Sequence, residues 1–121
     1  MDNRFTADHE WLAIDGNIAK VGITDHAQSL LGDLVFVGLP DPGRAVTKGA
    51  TVASVESVKA ASDVYAPLTG TIVAVNSAVA DDPSLVNSDP MGAGWLFSIQ
   101  YHDASEVDAL LSEVDYQRLP K

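Results

Sequence analysis

The run Val52-Ala53-Ser54-Val55-Glu56-Ser57-Val58-Lys59-Ala60-Ala61-Ser62-Asp63-Val64-Tyr65-Ala66-Pro67 sets small and β-branched residues on both sides of a polar tip. Such residues favour pleated strands, so the run predicts a β-hairpin with strands over 51–56 and 60–65 and Lys59 at or beside the turn. Between Lys48 and Arg118 the chain has no other Lys or Arg. A lone amine held out on a rigid turn suits the attachment of a group. It equally suits an ordinary solvated turn lysine, which is the commoner arrangement when the hairpin is read by itself.

Working outward on the N-terminal side, 10–14 and 18–23 are strand-like and are separated by Asp15-Gly16-Asn17. Asp-Gly tolerates positive φ and predicts a hairpin. Thr24 or Asp25 can cap a short helix through Leu31, closed by Gly32, with Ala27, Leu30 and Leu31 facing the core. Residues 33–39 form another strand, stopped by Pro40-Asp41-Pro42-Gly43 because proline cannot donate to a sheet ladder.

On the C-terminal side, Ala66-Pro67-Leu68-Thr69-Gly70 breaks the pairing before a strand over 71–75. Asp81 to Val86 suits a single helical turn with its acids at the positive end of the dipole. Asn87-Ser88-Asp89-Pro90 reads as a turn and 95–101 as a strand. Ser105 can cap a helix with Val107, Leu110, Leu111 and Val114 as its apolar stripe. Many short strands punctuated by Gly and Pro, with small helices, predict two packed antiparallel sheets.

At 121 residues, 46% of them hydrophobic and 20% charged, the chain has the composition of one globular domain over 1–121. Seventeen acids against seven bases give a formal charge of −10. Nucleic acid and anionic membranes would repel it, so basic docking surfaces suit it better; the same charge also serves solubility. There is no cysteine, which excludes disulfides and a thiol nucleophile. Met1-Asp2-Asn3-Arg4-Phe5 has no basic n-region or apolar h-region, and no 18-residue apolar run occurs. The expectation is a soluble, cytoplasmic, monomeric protein.

Enzyme motifs are missing. His9, His26 and His102 have no zinc-ligand spacing, and no nucleophile elbow, phosphate loop or dinucleotide fingerprint occurs. Asp81 and Asp82, beside a proline and before a short helix, read as caps rather than as an acid/base pair. His9 and His26 read as hydrogen-bonded structural residues, and Trp11 and Trp95 as core or rim.

His9-Glu10-Trp11, Val21-Gly22-Ile23-Thr24-Asp25-His26-Ala27-Gln28, Leu31-Gly32-Asp33, Val35-Phe36-Val37-Gly38-Leu39-Pro40, Glu56-Ser57-Val58-Lys59-Ala60, Asp82-Pro83, Leu85-Val86-Asn87 and Gly94-Trp95 follow one another in that order. Over nearly the whole chain this resembles the H proteins of the glycine cleavage system. Biotin carriers have Met on both sides of the lysine, where this chain has Val58 and Ala60, and the lipoyl domains of 2-oxo acid dehydrogenases usually have Asp-Lys-Ala.

The resemblance implies a mainly β, barrel-sandwich hybrid fold with peripheral helices, and a non-catalytic carrier. It implies lipoate attached to Lys59 by a lipoyl-attaching enzyme, with Glu56 and Gly70 aiding recognition, and Glu10 and Asp63 lining a cleft for the arm. The implied partners are a pyridoxal-phosphate glycine decarboxylase (P protein), a tetrahydrofolate-dependent aminomethyltransferase (T protein) and a flavin-containing dihydrolipoyl dehydrogenase (L protein). A lipoyl donor serving other proteins, or an acidic interaction module with an unmodified lysine, stay open as alternatives. Two positions depart from the pattern: Leu30 stands where some members have His, and Gly38 where an acid is common.

Overall fold

Alternation of apolar and polar residues is answered by nine strands in a computed structural model that describes residues 2–119; of the domain expected over 1–121, Met1, Pro120 and Lys121 lie outside the described residues. The strands are β1 (Asp2–Phe5), β2 (Glu10–Asp15), β3 (Ile18–Ile23), β4 (Leu34–Gly38), β5 (Ala45–Val46), β6 (Thr51–Ser57), β7 (Ala61–Tyr65), β8 (Gly70–Val75) and β9 (Phe97–Tyr101). The helices are α1 (Asp25–Leu31), α2 (Ser77–Asp81), α3 (Ser84–Ser88), α4 (Ala104–Asp108) and α5 (Glu113–Gln117). All strand pairs are antiparallel. Six form a sheet in the order β1-β2-β3-β9-β8-β5 and three form another, β4-β6-β7. The order does not close into a barrel.

One core joins the two sheets. Leu12, Val21, Ile72, Phe97 and Ile99 from the larger sheet pack with Val37, Val55 and Val64 from the smaller, and Leu68, Val79, Val86 and Leu96 fill in from the connections. Most of these side chains are wholly buried, and each contributes about 1.5–3 kcal/mol by leaving water. A second cluster of Phe5, Trp11 and Tyr116 fixes the C-terminal segment to the larger sheet. Trp11 donates its indole N–H to the Pro90 carbonyl at 2.9 Å, while Trp95 is half-buried with the Lys20 Nζ 5.1 Å above its ring.

The hairpins form as the sequence predicts, with Gly16 at φ 62° in the β2–β3 turn. Thr24 caps α1, its hydroxyl accepting from the Ala27 N–H at 3.3 Å, and Gly32 ends the helix at φ 83°.

Four sequence expectations are corrected. Leu30 is 61% exposed, because α1 meets the core along the Ala27–Leu31 row alone. The single turn expected over 81–86 is two helices: Val79 is buried and anchors α2, so Asp81 ends that helix instead of opening one. Asp82 lies between the two, its carboxylate accepting from the Ser84 N–H at 3.2 Å while Pro83 stands at the N-cap of α3. Asn87 and Ser88 belong to α3 rather than to a turn. The C-terminal helix is also two, capped by Asp103 and Ser112. The break comes where Leu111 exchanges backbone hydrogen bonds with Phe5 at 2.9 and 2.8 Å, and it leaves Val114 exposed. No sequence pattern had predicted β1, the partner of β2 that carries Phe5 to that bridge.

Candidate functional site

The β6–β7 hairpin pairs Ser54 with Asp63, Val55 with Ser62 and Glu56 with Ala61. Val55 and Val64 point into the core and hold the ribbon down. At the tip the Ser57 N–H donates to the Ala60 carbonyl at 2.7 Å. The Ser57 hydroxyl accepts from the N–H groups of Lys59 and Ala60 at 3.3 and 3.1 Å, and it donates to the Ala60 carbonyl at 3.2 Å. A serine hydroxyl that bonds the backbone two and three residues on stabilises a turn locally. It fixes the Lys59 backbone while leaving the side chain exposed.

The lysine stem lies over the end of α1. A Cβ at position 32 would stand 3.3 Å from the Lys59 Cε and 3.7 Å from Nζ. Gly32 therefore does two jobs: it reaches the positive φ that ends the helix, and it leaves clearance for the lysine. A solvent-exposed amine on a locally fixed turn, its stem passing over a glycine rather than a side chain, fits the attachment of a long acyl group.

Glu56 and Asp63 are exposed on the outer face of the smaller sheet, and Phe36 of β4 sits opposite Glu56 in register. Glu10 has a different setting, 3% exposed. One carboxylate oxygen accepts from the Tyr65 N–H at 2.8 Å and the other from the Thr6 hydroxyl at 3.2 Å. Burial pushes its pKa up to about 7, against the pull of these two hydrogen bonds, with Asp8 adding a smaller upward push. Glu10 borders a cavity of about 560 Å³ walled by Phe5, Tyr65, Pro67, Leu110 and Leu111. Asp63 lies two residues before Tyr65 and borders a separate hollow with Leu39, Arg44 and Ser54. Expected in one cleft, Glu10 on β2 and Asp63 on β7 thus border different hollows, Glu10 bonding the backbone of Tyr65 two residues beyond Asp63.

Gly70 is not at the hairpin. It lies in the larger sheet between Val46 and Tyr101, and a Cβ there would collide with the Gln100 carbonyl oxygen. The structure thus supplies a packing reason for this glycine.

His9 is structural, as expected. Its Nδ1 is 2.8 Å from the Tyr116 hydroxyl, which is also 2.8 Å from the Thr24 hydroxyl, and its ring lies 4.6 Å from that of His26. With φ at 66°, His9 turns the chain into β2 and sets the position of Glu10. Sequence reasoning missed Ser57, Gly32 as clearance, Thr6 and Tyr116. Only Ser57 left a usable trace, a hydroxyl two residues before the lysine; the others depend on distant partners.

Among the described residues no three His, Asp or Glu side chains gather as a metal site, and no helix is long and apolar enough to cross a membrane. A rigid hairpin on a strand sandwich, presenting one amine to solvent, defines a carrier class of protein. Comparison with known proteins narrows the class. Residues 3–121 match the family model for the glycine cleavage H-protein. The chain is 56% identical over 116 residues to a glycine cleavage system H protein of Acidiphilium cryptum, covering 96% of this chain and 94% of that one. It is 57% identical over 113 residues to that of Bradyrhizobium diazoefficiens, covering 93% of each. The crystal structure of a glycine cleavage system H protein from Mycobacterium marinum superimposes with a TM-score of 0.83 at 44% identity, covering 95% of this chain and 93% of that one. The chain belongs to the glycine cleavage H-protein family. It is a carrier component of that system, partnered with the system's other components, and not a catalyst.

Proposed function

We propose that the chain carries lipoate in amide linkage on Lys59 and presents it in turn to a glycine decarboxylase, an aminomethyltransferase and dihydrolipoyl dehydrogenase. When attached, the group supplies a dithiolane able to accept and release a one-carbon amine unit and two electrons. The observation that carries the reading is the exposed Lys59 on a turn locked by Ser57, with clearance over Gly32, in a chain of this family. Acylation removes one positive charge from a surface that already carries a formal −10, which favours partners with basic faces.

Glu56, exposed and three residues before the lysine, is a recognition element for the lipoyl-attaching enzyme in this reading. Gly70 would contribute by keeping β8 against β9. Asp63, exposed on the outer face of the smaller sheet, would meet the arm as it lies back on the protein, and Glu10 would meet it only where the arm enters the cavity walled by Phe5, Tyr65 and Leu110. Near pH 7 Glu10 is about half ionised, and a cation brought beside it would draw it toward the carboxylate.

The test is an intact mass after expression in a lipoate-competent host, followed by tryptic mapping. The added mass is expected on the peptide containing Lys59, with complete loss in Lys59→Arg. Finding it on Lys20 or Lys48 overturns the assignment.

A further inference from the structure

Eight large apolar side chains are exposed among the described residues, and two of them, Val35 and Phe36, are consecutive on β4, whose first residue Leu34 pairs with Ser57 next to the turn that carries exposed Val58 and Lys59; the Phe36 ring runs on along β4 toward Gly38. Scattered exposed apolar residues are ordinary, whereas a gathered group marks a contact surface. Its origin is a β-bulge. Leu34 pairs with Ser57 and Phe36 with Glu56, so β4 advances two residues while β6 advances one. Val35 is the extra residue. Instead of alternating, Val35 and Phe36 both face solvent, at 61% and 50% exposure, between buried Leu34 and Val37. Bulges re-aim side chains in this way. β4 is also an edge strand of its sheet, where exposed apolar residues invite aggregation and persist at a cost.

We propose that this bulged edge of β4, together with Val58, is the docking surface for the enzyme that loads Lys59, and that it fits an active-site mouth with an apolar rim and basic side chains around it. The proposal rests on the carrier reading above. Two arguments select this occupant. The first is reach: the Lys59 amine stands about 6–7 Å from its Cα, five bonds of about 1.5 Å, so an enzyme that acylates it must press onto Val58 and the neighbouring β4 side chains. Enzymes that act on the far end of the loaded arm can stand further off. The second is charge: Asp33 and Glu56 border the patch and Lys59 is the one basic residue between Lys48 and Arg118. Once that amine enters the partner, what remains is apolar and acidic. A second copy would bring like charge against like, and the bulge spoils straight edge-to-edge pairing.

The experiment measures kcat/KM for lipoylation of the unmodified chain by a purified ATP-dependent lipoate ligase, read by intact mass. Val35→Ser and Phe36→Ser are each expected to lower kcat/KM about tenfold through KM, the size of a contact at the centre of an interface. Phe36→Tyr should restore most of the rate. Val114→Ser, an equally exposed position on α5, should match wild type, and melting temperatures should stay together. Raising salt should lower kcat/KM for wild type. Wild-type rates in both serine variants, or an equal loss in Val114→Ser, overturn the patch while leaving the carrier reading intact. Slowing confined to enzymes that act on the dithiolane assigns the surface to them and overturns the proposal. A wild-type chain that is never modified at Lys59 overturns the carrier reading itself.

Discussion

The two ends of β7 are built by opposite means. At the Ala61 end the turn is held by one serine hydroxyl and backbone groups within four residues, and the Lys59 amine is exposed. At the Tyr65 end the backbone N–H is held by a buried carboxylate 55 positions away in sequence, on a segment steadied by a histidine–tyrosine bond spanning 107 positions. The first device needs only its own residues, so it holds the Lys59 backbone without help from distant parts of the chain. The second exists only when both ends of the chain are docked, and it keeps water and charge under control. A carrier needs both, one region that any partner can take hold of and one that a partner cannot reach without the fold.

The largest expected effect is at the buried end. Glu10 titrates near 7 in the folded protein against an ordinary 4.5, so the native state holds a proton that the unfolded chain gives up. Its contribution to stability is fully present below about pH 4.5 and is lost as pH rises through about 7, amounting to about 3 kcal/mol over that window. Glu10→Gln keeps a neutral acceptor for the Tyr65 N–H. It is expected to gain on wild type by up to that amount as urea unfolding is repeated from pH 5 to pH 8. A constant difference across the series would mean that Glu10 is better solvated than its burial indicates.

Removing the Tyr116 hydroxyl sharpens the contrast. Tyr116→Phe leaves His9 and Thr24 facing a buried gap where a hydroxyl joined them, and should cost about 2 kcal/mol in urea unfolding. Amide exchange at Lys59 and Ala60 should not change below the global unfolding limit. If their protection falls with the loss of Tyr116, the hairpin is not locally held and the comparison fails.

The smallest effect belongs to the hairpin itself. Ser57→Ala should cost about 0.5–1 kcal/mol, since the bonds it removes are solvent-exposed. Exchange at the Lys59 and Ala60 amides should quicken about fivefold, while the pH dependence of stability stays that of wild type. Unaltered exchange would show that the backbone bond from Ser57 N–H to the Ala60 carbonyl suffices to hold the turn.

Much of the fold was legible because its elements announce themselves locally. Asp15-Gly16-Asn17, the Thr24 cap, the Gly32 stop and the strands around Lys59 are decided by short-range sterics and hydrogen bonding. The C-terminal stripe misled because Val107, Leu110, Leu111 and Val114 do have helical spacing. A backbone bridge from Leu111 to Phe5 outweighs that pattern and splits the helix. Leu30 misled for a related reason: its spacing suits a core face, but the place where α1 meets the sheets is set by packing.

By itself the sequence determined the hairpin, the lone basic residue at its tip, the acidic surface and a family resemblance strong enough to name the group proposed for Lys59. These rest on residue identities and spacings of a few positions, which a linear chain displays directly. Only the tertiary structure decided that Glu10 is buried and holds its proton to about pH 7, and that Gly32 underlies the lysine stem. It also decided that Gly70 answers to the Gln100 carbonyl rather than to the hairpin, and that a bulge turns Val35 and Phe36 outward together. Each of these is a contact between residues far apart in the chain, whose cost or benefit arises from desolvation and close packing. Those quantities have no value until the sheets have come together.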